Sequence, residues 1–130
     1  MTLVVDTSFV LSLAIVRDEF HVAARDFLRD SDEDLVTSPL AVAEMDHLIT
    51  QRGGPAARDV LWADFESGAY GVRWWADAMS ETLTIARDAP KVGLADASLV
   101  ALARRLRTGR ILSFDSHFAS FDLTLLPERP

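Results

Sequence analysis

Residues 93–115 read GLADASLVALARRLRTGRILSFD. In the first half, Asp96, Leu99, Val100 and Ala103 fall at i, i+3, i+4 and i+7, one face of an α-helix. The spacing predicts a helix that starts after Gly93 and ends at Gly109. A short apolar run, Ile111 to Phe114, follows it and reads as a buried strand ending at Asp115. A helix feeding a strand through a short turn is half of a parallel-sheet crossover. One residue breaks the pattern. Asp96 lies on the apolar face, where an ionised carboxylate is costly unless it is paired, hydrogen-bonded or bound to a metal.

The same alternation extends through the chain. Leu3 to Val5 reads as a strand ending at Asp6, and Thr7 or Ser8 can cap a helix running to about Leu13. Phe20, Ala23, Ala24, Phe27 and Leu28 mark an amphipathic helix within residues 19–30. Leu35 to Thr37 is a second strand. Ser38 and Pro39 have the form of an N-cap and first helical position, opening a helix that Gly53 and Gly54 stop after Arg52. Pro55 starts another helix. Tyr70 to Trp74 offers a third strand, Asp77 a cap for a helix over 78–88, and Leu123 to Leu126 a last strand. Strands alternating with helices give a parallel sheet covered on both faces. The expected fold is a three-layer α/β/α domain with four or five parallel strands. No linker interrupts it, so residues 1–130 are expected to form one domain.

Composition excludes several classes. The chain has 130 residues and no cysteine, so it has neither a disulfide framework nor a cysteine-bearing zinc or iron–sulfur site. Its apolar runs fall well short of the ~20 residues of a membrane span, and the N-terminus MTLVVDTS has no basic leader region. The expected location is cytoplasmic, off the membrane. The net charge of −7 argues against nucleic-acid binding by bulk attraction. Arginines do cluster at Arg104, Arg105, Arg107 and Arg110. That cluster reads first as a solvated helix C-terminus, where cations suit the helix dipole, and second as an RNA contact. Trp62, Phe65, Trp74 and Trp75 are expected mostly in the core. If Trp74 and Trp75 lie on a strand they alternate, so one of them faces a partner.

Ligands of open parallel sheets bind beyond the carboxyl ends of the strands. Asp6 and Asp115 sit at two such ends. Asp96 starts a helix that runs antiparallel to the strands, which places it at the same edge. Glu44 shares a helical stripe with Leu40 and Leu48 and leans inward. Each acid alone has a plain structural reading as a turn, a helix start or a solvated position. Together on one edge they repel, which protonation or a bound cation relieves. An all-carboxylate ligand set suits Mg²⁺ or Mn²⁺ rather than zinc.

The ordered set of VVDTS (residues 4–8), Pro39 to Glu44, GLADASLVALA (93–103) and SFDSHF (113–118) resembles a PIN domain, and more narrowly the VapC toxins of bacterial toxin–antitoxin pairs. The resemblance spans almost the whole chain. It implies a PIN-like α/β/α fold and an Mg²⁺- or Mn²⁺-dependent endoribonuclease whose acids are Asp6, Glu44, Asp96 and Asp115. Ser113 fills the family's hydroxyl position two before the last Asp, and His117 stands where many members carry a further acid. The implied partners are an RNA substrate, a VapB-like antitoxin and a second copy of the chain.

On this reading Asp6, Asp96 and Asp115 hold a metal that activates water against an RNA phosphodiester. Glu44 is a further ligand or a base, and Thr7, Ser8, Ser113 and His117 support them. The rival enzyme is a metal-free ribonuclease using His21, His47 or His117, for which no convergent pair is evident. The alternative without catalysis is an acidic cleft that docks a basic peptide. An arginine fork matches paired carboxylates, so an antitoxin tail can occupy the same site.

Overall fold

The computed structural model describes residues 1–128. Five strands, β1 (Thr2–Val5), β2 (Asp34–Thr37), β3 (Gly71–Val72), β4 (Arg110–Leu112) and β5 (Thr124–Leu126), form one sheet in the order β3-β2-β1-β4-β5. Every pairing is parallel. Around the sheet lie helices α1 (Thr7–Ala14), α2 (His21–Asp30), α3 (Pro39–Glu66), α4 (Ala78–Asp88) and α5 (Leu94–Leu106), with a 3₁₀ helix at Ser116–Phe121. This is the α/β/α architecture with a sheet of five strands. The chain winds outward from β1 in one direction to β3 and in the other to β4 and β5. Strand order therefore reverses between β1 and β4, where open sheets form their ligand crevice.

The central strands are buried because both faces are covered. Leu3, Val4, Val5, Ile111 and Leu112 are inaccessible to solvent, as continuous Val/Ile/Leu strands of a parallel sheet should be. Helix α5 is buried on every side from Ala97 to Ala103, and its alanines let it lie close to β1, α3 and α4. An amphipathic stripe understates this helix, since Ser98, Ala101 and Leu102 are buried as well as Leu99, Val100 and Ala103. Among the described residues no helix is long and apolar enough to cross a membrane.

Several ends differ from the sequence reading. Helix α1 is capped by Asp6, whose side chain accepts from the Ser8 N–H, and not by Thr7 or Ser8. Helix α5 stops before Gly109: Arg107 takes the left-handed conformation (φ 55°), and the Thr108 N–H closes onto the Ala103 carbonyl. Asp77 precedes α4 without a capping hydrogen bond. Helix α3 continues from Pro39 to Glu66, but Gly54 (φ 76°, ψ −174°) breaks it where two helices are expected, just before Pro55. A β-carbon on Gly53 would fall 2.6 Å from Ala57 Cβ and 3.0 Å from Ile15 Cδ1, so this glycine lets the broken helix close on α1. Trp74 and Trp75 lie beyond β3 and not on a strand. Trp75 packs against the core, while Trp62 and Trp74 are exposed.

Candidate active site

Asp6 is the first residue after β1, Ser113 the first after β4, and the two strands are neighbours. The Asp6 N–H donates to the Leu112 carbonyl (2.9 Å), which fixes the Asp6 backbone across the switch point. Its side chain is 1% exposed with the rest of the residue. One carboxylate oxygen, Oδ2, accepts from the Ser8 hydroxyl at 2.6 Å and the Ser113 hydroxyl at 2.8 Å. Each hydroxyl in turn accepts a backbone N–H, from Phe114 onto Ser8 (2.9 Å) and from Asp115 onto Ser113 (2.9 Å). A hydroxyl has one proton to give. Each serine accepts one backbone N–H and lies within donating distance of Asp6 Oδ2, and the two hydroxyls are 3.2 Å apart. The other oxygen, Oδ1, is buried and has no hydrogen-bond partner.

Two helices bring the remaining acids to Asp6. Glu44 stands half-buried beside the Ala41, Met45 and Ile49 stripe of α3, and Asp96 stands in the first turn of α5. One carboxylate oxygen from each of Asp6, Glu44 and Asp96 lies within 4.8 Å of the other two. Asp115 is exposed and outside this trio, at the rim of the cleft. It still contributes its negative field to Asp6 and Asp96. His117, in the 3₁₀ helix, brings Nε2 to 3.0 Å from Asp96 Oδ2. Thr7 lines the cleft with a buried hydroxyl.

The electrostatics follow from the burial. Asp6's carboxyl is pushed above the ordinary carboxylate range by loss of water, against the pull of the Ser8 and Ser113 hydroxyls. Asp96 is pushed up to about 6, first by burial and then by the charge of Asp6, with His117 opposing and Glu44 and Asp115 adding to the rise. Carboxylates so arranged favour a proton or a cation among them. The buried, unpartnered Oδ1 of Asp6, together with an all-oxygen donor set, fits a hard divalent ion such as Mg²⁺ or Mn²⁺.

A second network holds the two helices in register. The Ala41 N–H donates to Ser38 Oγ (3.1 Å), Ser38 Oγ lies 2.6 Å from Ser98 Oγ, and Ser98 donates to the Ala95 carbonyl (2.6 Å). Because the Ser98 proton goes to Ala95, Ser38 donates to Ser98. This buried ladder ties the start of α3, six residues before Glu44, to the start of α5, two residues after Asp96. Sequence reading identifies Ser38 as a cap but not Ser98 as its partner. The signal was a serine in an otherwise apolar helix.

The cleft over the carboxylates has a volume of about 370 Å³. A larger groove, about 720 Å³, lies at the amino edge of the sheet beside Met1, Glu33 and Arg110, away from the acidic trio. There Arg110 forms a two-pronged ion pair with Glu33. The arginine cluster belongs to that edge as well: Arg107 is eleven residues beyond Asp96 along α5, roughly 16 Å. The histidines do not form an acid–base pair in the cleft. His21 Nδ1 is 3.0 Å from the Ser12 carbonyl, His47 lines a different groove on the exposed side of α3, and His117 faces Asp96.

Comparison with known proteins agrees with this architecture. The sequence model of the PIN domain matches residues 3–123. The chain is 32% identical over 123 residues to Ribonuclease VapC26 of Mycobacterium tuberculosis, covering 91% of this chain and 90% of that protein. Its fold matches the crystal structure of M. tuberculosis VapC20, described as a sarcin–ricin-loop-cleaving toxin, with a TM-score of 0.88 at 23% identity over 98% of this chain and 99% of that one. VapBC2 of Rickettsia felis, bound to a promoter DNA fragment, matches with a TM-score of 0.69 at 11% identity, covering 96% and 97%. A sheet reversing at β1 and β4, acids gathered at that reversal and a sequence match from residue 3 to 123 lead to one conclusion: the chain belongs to the PIN domain family.

Proposed function

We propose that this protein is an endoribonuclease of the VapC toxin kind, working through a divalent cation, Mg²⁺ or Mn²⁺, held by Asp6, Glu44 and Asp96. The observation that carries the reading is the meeting of three carboxylates within 4.8 Å, one of them with a buried oxygen that lacks a partner. The 32% identity to a ribonuclease supports the substrate class. When bound, a divalent cation lowers the pKa of a coordinated water and polarises a phosphate.

The chain's own residues prepare that chemistry. Ser8 and Ser113 hold Asp6 in one orientation through Oδ2 and leave Oδ1 free of hydrogen bonds. The Ser38–Ser98 ladder sets the distance between Glu44 and Asp96. Glu44, half-buried and on the cleft wall, is placed to ligate or to take a proton from the attacking water. Asp115, at the rim, bears on the outer part of the site. His117, with Nε2 3.0 Å from Asp96 Oδ2, places an imidazole against that carboxylate. Attack by water leaves a 5′-phosphate and a 3′-hydroxyl.

The proposed partners are an RNA substrate, a VapB-like antitoxin and a second copy of the chain. An antitoxin is supported by likeness to a VapBC assembly, and the copy by the exposed Trp62 and Trp74. The test is induced expression of wild type and Asp6→Ala, with mapping of new RNA ends. The reading expects growth arrest and new ends from wild type alone. Arrest by both proteins, or by neither, would count against it.

A further inference from the structure

The carboxylate trio leaves open how a polyanion approaches a chain of net charge −7. The arginine cluster does not answer this, because it sits at the far edge of the sheet. The cleft itself holds one cation. Among the described residues Arg52 is the only lysine or arginine that lines it. Glu44, Leu48 and Arg52 fall at i, i+4 and i+8 of α3, so one helical stripe runs along the cleft wall from the acidic centre to this arginine. Eight residues of helix place Arg52 about 12 Å from Glu44 along the axis.

Three observations mark Arg52 as directed outward to a ligand. It is exposed, and among the described residues it enters no ion pair, although Glu44, Asp96 and Asp115 line the same cleft. Asp18, a fourth acid lining the cleft, accepts the Phe20 N–H at 2.8 Å and likewise makes no ion pair with Arg52. The backbone beneath Arg52 is also fixed, since Gly53 packs against Ile15 and Ala57 and the helix breaks at Gly54. A guanidinium held at one end of a groove whose other end is anionic is suited to a phosphate next to the one being cleaved.

We infer that Arg52 is a substrate-binding residue that takes an RNA backbone phosphate adjacent to the scissile one. This rests on the ribonuclease reading and adds the direction in which the strand lies, along α3 from Glu44 toward Arg52. The competing role is structural, a cation in the last turn of a helix segment, stabilising the dipole.

The test is binding of a fluorescein-labelled single-stranded RNA of randomised sequence, in EDTA so that the strand is not cut, to wild type, Arg52→Ala and Arg52→Lys over a series of salt concentrations. Loss of one phosphate contact should lower the slope of log K against log [salt] by about 0.7. It should also weaken binding several-fold at low salt, and Arg52→Lys should keep most of the slope. An unchanged slope in Arg52→Ala, with or without a lower melting temperature, overturns the contact and leaves the ribonuclease reading standing if wild type cleaves RNA. A wild type that neither binds nor cleaves RNA overturns both.

Discussion

Asp6 shows how a single residue is prepared. Two hydroxyls hold one of its oxygens, and the other is buried without a partner. Ser113→Ala removes one of the two holds. It should weaken Mn²⁺ binding by calorimetry, and slow RNA cleavage, by about 10- to 100-fold while the circular dichroism spectrum stays unchanged. Asp96 contributes to the pH dependence. Its carboxyl keeps a proton up to about pH 6 in the folded protein, whereas an unfolded Asp loses it near pH ~4. The folded state therefore binds more protons between those values, and stability falls as pH rises through that window, by about 3 kcal/mol. In EDTA, wild type should melt progressively lower from pH 4 to pH 6, and Asp96→Asn should remove that part of the slope. Parallel profiles for the two proteins would contradict this. Asp96 was legible as a misfit on an apolar helix face. Asp115 was legible as a strand-end acid, but its exposure depends on where the chain turns after Ser113, which local pattern does not encode.

At the scale of elements, the site is an arrangement of two helices against two strands. Apolar runs and the 3.6 period place the five strands and the helices in chain order, with α3 read as two helices divided at Gly53 and Gly54. The ends were less legible. The Asp6 cap and the Arg107 turn are decided by hydrogen bonds and a left-handed residue that compete with nearby Ser, Thr and Gly signals. The Ser38–Ser98 ladder depends on two elements 60 residues apart and has no local signature. Ser98→Ala leaves the Ser38 hydroxyl buried without its acceptor, at a cost of ~1–2 kcal/mol. Urea unfolding should show that loss, and Mn²⁺ affinity should drop with it, since the separation of Glu44 and Asp96 is no longer held. A stability loss with unchanged Mn²⁺ affinity would assign the ladder to folding alone.

For the whole molecule, the sheet's reversal point gathers acids that destabilise the fold until something neutralises them. An ion that binds only the folded state raises stability by RT ln(1 + [L]/Kd), about 2.7 kcal/mol at a hundred times Kd. Magnesium or manganese should therefore raise the melting temperature of wild type at pH 7 and should not raise that of Asp6→Asn. The metal-dependent ribonuclease activity is tested by cleavage of RNA with the purified protein, with the new ends sequenced and their phosphates assigned. Cleavage should give 5′-phosphate ends that appear with Mg²⁺ or Mn²⁺, vanish in EDTA and are absent with Asp6→Asn. Cleavage that persists in EDTA, or that Asp6→Asn performs at the wild-type rate, would contradict it.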